Sequence, residues 1–423
     1  MPDAIRRRLD RVGWWFQRRP ATTRALRRLR LATVIRTALA PRFARLRTRL
    51  TESTGWRAVG PAGVVRALRG TGRVGAETPV AFPQDTDGIV HPLARPPAVG
   101  VSGRALARLR RRGVVRIERG AEPSPTTLTA LMRAGVVLSA AADADLGPVA
   151  PDLDAVLRRE VDPADHDARE LQSIRLRRYA WSHGRPTPSI SVVLASRRPA
   201  DLLDAVAMVE AQRGSDVQLC VGLHGEGWEP TIADRIGERF SGPLVVERFT
   251  DAVDLGSMLQ ALSLRADGTY VSKWDDDDLY GADHLLDLVL AHDYSGADLV
   301  GKGAEFVYLE GSDRTIRRFA IGAERPAVTL AGGTLLLARD RLQELGGWPA
   351  APKGADQRLL DALLADGGVS YRTHGFQFIL RRRPPERSGG HTWSADDDYF
   401  LADEVAGRDG LALGFADIEP AES

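Results

Sequence analysis

Thr269-Tyr270-Val271-Ser272-Lys273-Trp274 runs directly into Asp275-Asp276-Asp277-Asp278. The first six residues are rich in the β-branched and aromatic types that suit a pleated, half-buried strand. The next four repel one another. Two unit charges about 4 Å apart interact by roughly 1 kcal/mol in water and about 4 kcal/mol at an effective dielectric of 20. A strand that ends in such a run calls for a cation or for full exposure. Along extended backbone, residues i and i+2 point the same way. Asp275 and Asp277 are therefore expected to face one site together, with Asp276 pointing away. Hard oxygen ligands suit Mg2+ or Mn2+, which also bind phosphate oxygens. The competing reading is a solvated turn, or Asp278 as the cap of a following helix.

The surrounding chain decides where that run sits. Ser189-Ile190-Ser191-Val192-Val193-Leu194-Ala195 reads as a buried strand. Asp201 to Gln212 reads as an amphipathic helix with Leu202, Leu203, Val206 and Val209 inward. Val217 to Leu223 and Leu244 to Glu247 supply two more strands, and Leu255 to Leu264 another helix. Strands alternating with helices imply an α/β fold with a mainly parallel sheet. Ligands in such sheets bind beyond the carboxyl ends of the strands, and the aspartates lie at one of those ends.

The other regions carry less chemistry. Residues 1–50 hold 15 Arg against Asp3 and Asp10, a net of +13 within a whole-chain charge of +2. Ile5, Leu9, Val12 and Phe16 recur at helical spacing, with Trp14 and Trp15 beside them. This basic amphipathic helical arm suits an anionic membrane surface, or packing on the acidic body or a partner. No motif that reads nucleic acid accompanies it, and none is expected as a partner. Residues 51–185 read as a small α/β accessory domain with a linker at Arg185-Pro186-Thr187-Pro188, irregular over 51–100. Residues 186–400 form the expected main domain, and 401–423 an acidic C-terminal tail. The single Cys220 excludes an internal disulfide framework. No apolar run approaches the roughly 18 residues that span a bilayer, and no secretory-type apolar core opens the chain. A cytoplasmic protein, peripheral at most to the inner face of the cell membrane, is expected.

Over roughly residues 188–395 the chain resembles family 2 glycosyltransferases of the GT-A fold. Ser191 to Pro199 is similar to that family's first strand and nucleotide-binding loop. Ala266 to Asp278 resembles its entry into the D-x-D metal motif, with Asp275 and Asp277 as the two acids. Gly346-Gly347-Trp348 followed by Ala355-Asp356-Gln357 resembles its Gly-Gly-aromatic segment and the acidic position of the catalytic base. Gln260 stands where the family frequently has Asn, Ala355 where it usually has Glu, and Leu223 to Trp228 where it commonly has an acidic pair.

The resemblance implies transfer of a sugar, with inversion, from a nucleoside diphosphate sugar to a hydroxyl of a glycan or lipid-linked acceptor. Cell-surface polysaccharide or glycolipid synthesis is the expected setting. The expected donor-binding residues are Ser196, Arg197, Arg198, Lys273, Asp275 and Asp276. Asp356 is the expected base. Asp275, Asp277 and, by the same resemblance, His391 in Gly389-Gly390-His391 are the expected ligands of Mn2+ or Mg2+. Trp348 and Trp393 suit either a sugar pocket or ordinary core packing. The segments Gly301 to Glu305 and Ala331 to Leu335 are expected to edge the acceptor cleft. Two rivals are a sugar nucleotidyltransferase, though Ser196-Arg197-Arg198-Pro199 lacks the glycine-rich activating loop, and a non-catalytic binding or scaffold protein.

Overall fold

The computed structural model describes residues 90–93, 114–119, 123–183, 185–318, 323–384 and 397–419. The basic arm, His391 and Trp393 lie outside the described residues. No helix among the described residues is long and apolar enough to cross a membrane.

Three sheets organise the described residues. Val90–Leu93 (β1), Val114–Ile117 (β2) and Leu138–Ala140 (β3) form a small parallel sheet in that order. Helices Pro125–Arg133 (α1), Pro151–Leu157 (α2) and His166–Ser182 (α3) pack with it. Ser124 caps α1 by accepting from the Thr127 N–H, and Pro125 suits the first turn, where no amide bond is lost. β1 falls in a stretch expected to be irregular.

The large sheet contains Ser189–Ser196 (β4), Asp216–His224 (β5), Leu244–Phe249 (β6), Tyr270–Trp274 (β7), Leu299–Gly301 (β9), Arg325–Pro326 (β12), Leu335–Ala338 (β13) and Ser370–Arg372 (β14), ordered β12-β14-β9-β13-β7-β4-β5-β6. The run β6-β5-β4-β7 is parallel, as the alternating sequence pattern required. Its strands are apolar on both sides because both faces are covered. Ile190, Val192 and Leu194 pack with Pro199–Glu210 (α4) and His284–Ser295 (α7). Val193, Cys220 and Val271 pack oppositely, with Leu255–Ser263 (α6), Arg339–Glu344 (α8) and Ala355–Ala365 (α9). Helix Ile232–Arg239 (α5) precedes β6. Beyond β7 the direction reverses: β13 is antiparallel to both β7 and β9.

The third sheet is Glu404–Asp409 (β16), Arg314–Arg318 (β11), Phe306–Leu309 (β10), Phe378–Arg382 (β15) and Leu279–Tyr280 (β8), in that order. Asp397–Leu401 (α10) leads into β16. The stretch expected as an acidic tail thus contributes an edge strand, paired with β11 about ninety positions earlier. β7 belongs to the large sheet and β8 to the third. The four aspartates are the corner at which the chain leaves one sheet for the other.

Candidate active site

The register of β4 on β7 sets the geometry. Leu194 lies opposite Trp274, the last residue of β7, while β4 runs on to Ser196 beside the acidic turn. Ser196 Oγ donates to Asp276 Oδ2 at 2.5 Å and accepts from the Arg198 N–H at 3.0 Å. Arg198 Nη1 then pairs with Asp276 Oδ1 and, at 3.1 Å, with Asp277 Oδ2. Asp276 is only 6% exposed. Burial pushes its carboxyl up to about 6, against the pull of Arg198 and with Asp277 adding to the rise. Asp276 and Ser196, both expected on the donor, hold each other and Arg198.

Strand alternation does not extend into the acids, because β7 ends at Trp274 and residues 276–277 turn. The corner between two sheets overrides the extended path assumed from sequence. Asp275 is the most open of the characterised acids of the turn, its side chain 36% exposed, and it accepts from Lys273 Nζ at 2.6 Å. Lys273 is buried. Burial would lower its ammonium, but Asp275, Asp356 and Asp278 override this and raise it. Asp278 is buried and accepts from the Arg381 N–H at 3.1 Å. Burial and the charges of Asp277 and Asp275 raise its carboxyl well above the ordinary range. The turn thus crowds acid against acid, with Lys273 and Arg198 paired to three of the four.

The facing wall comes from the chain before β13. After Ala331 comes a single 3-10 turn, Gly332–Thr334, and β13 starts at Leu335, opposite Lys273. A Cβ on Gly333 would stand 2.9 Å from both Asp275 Oδ2 and Asp278 Oδ2, and 2.7 Å from the Tyr280 hydroxyl. A Cβ on Gly332 would stand 1.8 Å from Asp356 Oδ2. These two glycines let the backbone close on three carboxylates. Tyr280, absent from the expected set, ties the walls together. Its hydroxyl accepts from the Asp275 N–H at 3.0 Å and donates to the Gly333 carbonyl at 2.9 Å, and its ring stacks on Trp274 at 3.8 Å. Its sequence signal was weak: one aromatic residue two positions after four acids.

Asp356 lies in the first turn of α9. Gly354, left-handed at φ 68°, occupies the cap position. Asp356 Oδ1 accepts from the Gln357 N–H at 2.8 Å, leaving Oδ2 toward Gly332. The Gly-Gly-Trp segment is structural. Gly347, at φ 81°, approaches Gln260 so closely that a Cβ would meet its Oε1 at 2.0 Å, and that oxygen accepts from the Trp348 N–H at 2.8 Å. Trp348 is buried and its indole donates to Ser263 at 2.9 Å. It belongs to the core rather than to a sugar pocket.

At the carboxyl ends of β4 and β6, Arg197 and Asp251 form an exposed pair at 3.5 Å. Gly225, at φ 83°, lies against Asp251, 2.7 Å from its would-be Cβ. Arg383 pairs bidentately with Asp201, at 2.5 and 2.8 Å, and the Asp277 charge also reaches it.

Asp275 and Asp277 fit a divalent cation in donor chemistry. Among the described residues, no three His, Cys, Asp or Glu side chains converge on one ion. Further ligands would have to come from a bound phosphate, water or the region around His391.

No protein-family model matches the chain, and no curated protein does. Among solved structures, it is similar to residues 1–349 of S. aureus TarS in complex with UDP-GlcNAc, at 14% identity, over 51% of this chain and 64% of that one, with a TM-score of 0.38. It is similar to the mannosyltransferase PcManGT from Pyrobaculum calidifontis in complex with GDP-Man and Mn2+, at 16% identity, over 50% and 64%, with a TM-score of 0.37. A third is GalNAc-T7 with UDP, GalNAc and Mn2+, at 13% identity, over 51% and 50%, with a TM-score of 0.40. The match spans less than two thirds of each of these three chains.

Proposed function

We propose that the chain is a metal-dependent, inverting glycosyltransferase of the GT-A, family 2 type. It moves a sugar from a nucleoside diphosphate donor to a hydroxyl acceptor. One observation carries the reading: the acidic turn after β7 and the Asp356 carboxylate both lie against the Gly332-Gly333 backbone, at the carboxyl end of a parallel run of strands.

Asp275 and Asp277, with His391 as the further candidate, would hold the divalent cation, which when bound neutralises diphosphate charge as a Lewis acid. Lys273 holds Asp275 in place through their ion pair. Arg198 fixes Asp277 and presents positive charge beside it. Asp356 Oδ2 takes the proton of the acceptor hydroxyl. The hydroxyl oxygen bonds to the anomeric carbon as the bond to the diphosphate oxygen breaks, through an oxocarbenium-like state. The nucleoside diphosphate leaves with the electron pair of that bond. Attack from the side opposite the leaving group inverts the centre. The setting is cell-surface polysaccharide or glycolipid synthesis on the cytoplasmic side, with residues 1–50 holding the protein to an anionic membrane.

A thermal-shift screen of nucleoside diphosphates with and without Mn2+ tests the reading, since a ligand that binds the folded state stabilises it. One nucleotide is expected to raise Tm, and more so with Mn2+. If none does at millimolar concentration under either condition, the reading is lost. Comparing full-length protein with a chain lacking residues 1–50 on anionic vesicles tests the arm separately; equal binding removes that role.

A further inference from the structure

β15 holds the acid turn from a different sheet. Its Phe378 and Ile379 pair antiparallel with Tyr280 and Leu279 of β8, the strand that leaves the turn. Two residues further on, the Arg381 N–H donates to Asp278 Oδ1 at 3.1 Å. Along extended chain, Arg381 and Arg383 turn to the same side. Glu310 Oε2 accordingly lies 2.8 Å from the Nε of the first and 3.9 Å from that of the second. Arg383, one residue past β15, then reaches the large-sheet side: its Nη1 and Nη2 donate to Asp201 Oδ2 and Oδ1 at 2.8 and 2.5 Å. Both side chains are mostly buried, so water competes little for this two-pronged pair.

Asp201 lies in the first turn of α4, and Arg198 occupies the cap position without capping by its side chain. A carboxylate in that turn suits the helix dipole, and here both its oxygens go to Arg383. The Asp201 and Leu202 N–H groups donate to the Arg198 carbonyl at 3.1 and 3.2 Å. The Arg198 side chain continues to Asp276 and Asp277. One path thus runs from Arg383 through Asp201 and Arg198 to Asp277. Asp201 raises the Arg383 guanidinium, burial opposes this, and the charges of Asp277 and Glu310 add to the rise. The Arg383 charge opposes that of Arg198, and the acids that each grips hold the two guanidinium groups in place.

We propose that Arg383 is a positioning residue: its grip on Asp201 sets the loop after β4, and Arg198 with it, against Asp277, so that β15 fixes the loop and the acid turn together. The large sheet does not do this by itself, because β4 and β7 pair only as far as Leu194 and Trp274, short of both. That the held residues serve a cation and a diphosphate rests on the glycosyltransferase reading; the coupling of Arg383 to Asp277 through Asp201 does not. This role differs in sign from a charge acting at a distance. By charge alone, removing the cation Arg383 favours a bound metal ion, and removing the anion Asp201 disfavours it. Loss of a contact the two share acts in one direction for both.

Calorimetric titration of the full chain with Mn2+, alone and with each of UDP, GDP, ADP, CDP and dTDP, is the test. It compares wild type with Arg383→Gln, Asp201→Asn, the double variant and Arg383→Lys, each first shown by thermal unfolding to be folded. Each of Arg383→Gln and Asp201→Asn is expected to weaken Mn2+ binding about tenfold, the scale of losing a group that orients a metal ligand. The double variant should be no weaker than either, since all three break one contact. Arg383→Lys should recover only part, because an ammonium lacks the two-pronged geometry. Shifts of opposite sign in the two single variants, additive shifts in the double, full recovery by Arg383→Lys, or wild-type Mn2+ affinity in Arg383→Gln each overturn the role. So does a wild type that binds no Mn2+ under any of these conditions. If Mn2+ binding depends on Arg383 in the expected way but no nucleotide binds, the glycosyltransferase reading fails and the positioning role stands. If a nucleotide binds with Mn2+ and the variants match wild type, the reading stands and the positioning role falls.

Discussion

Two groups of buried aspartates in this protein have opposite electrostatics. In the turn after β7, burial and neighbouring acids push Asp276 up to about 6 and Asp278 well above the ordinary range. Under α3, Asp287 is buried too, yet its carboxyl is held well below that range. Burial alone would raise it; Arg178, His374 and Lys302 override burial. Arg178 grips Asp287 bidentately at 2.8 and 2.9 Å, and His374 and Lys302 approach at 3.3 and 3.4 Å. The difference lies in compensation rather than depth. Cationic partners hold Asp287 charged as a strut, whereas burial beside other acids makes Asp276 and Asp278 take up protons more readily.

The contrast breaks first if the two clusters respond alike to neutralisation. Asp356→Asn is expected to lower transfer by about 10²–10⁴-fold, the usual contribution of a general base. Tm and nucleotide affinity should stay near wild type, because the amide retains the bond from the Gln357 N–H. A variant that transfers normally removes Asp356 from the chemistry. Asp287→Ala does the reverse. It removes the bidentate partner of Arg178, leaving it Asp283 and Asp417, and leaves Lys302 only the His374 and Phe376 carbonyls; loss of about 3–5 kcal/mol is expected in urea unfolding, the cost of breaking a buried pair. A loss below about 1 kcal/mol would show that the cluster is not a strut.

The same comparison shows what was legible before any coordinates. The strands β4 to β7 could be read because two-sided burial writes continuous apolar runs such as Val192-Val193-Leu194. The acid turn could be placed because an apolar strand leads into it. Compensation could not be read, since it depends on residues far apart in sequence: Arg198 on Asp276, Arg381 on Asp278, Arg178 on Asp287. The i, i+2 rule failed past Trp274 because the chain changes sheets there. The edge strand β16 was missed because Glu404 to Asp409 lacks strand alternation and is recruited by β11. The pairing of Arg383 with Asp201 drew no notice; the two lie 182 positions apart.

Acid sharpens the distinction. Burial lowers His374 to about 4, aided by Lys302 and opposed by Asp287. An unfolded histidine takes up its proton near pH 6.5. Between pH 6.5 and 4 the unfolded state binds more protons, so stability falls as pH falls, by up to about 3 kcal/mol. Glu305 has the opposite sign. Burial raises it to about 7, opposed by Arg317 and aided by Glu170 and Asp167. Its folded state holds the extra proton between the unfolded glutamate value and pH 7, so its contribution grows as pH falls. Glu305→Gln should therefore steepen the acid loss, and His374→Gln should flatten it. Unfolding free energies at pH 4.5, 5.5, 6.5 and 7.5 check both slopes; an unchanged slope in His374→Gln would falsify its neutral, buried state.

The smallest effect tests whether the two walls of the site move as one. The Tyr280 hydroxyl joins the Asp275 N–H to the Gly333 carbonyl. Tyr280→Phe keeps the ring on Trp274 and removes only that bridge. Two buried backbone groups then lose a partner, and a loss of about 1–2 kcal/mol in stability is expected. If the bridge sets the spacing between the acid turn and Gly332, transfer should fall about tenfold, a change of about 1.4 kcal/mol in the barrier. That fall should appear in kcat more than in KM, because nucleotide contacts are untouched while the Asp356 wall shifts. Equal stability loss with unchanged kcat would mean that the walls are held independently, Asp275 by Lys273 and Gly333 by the start of β13. In that case the acid turn and the base are separately built parts of the site.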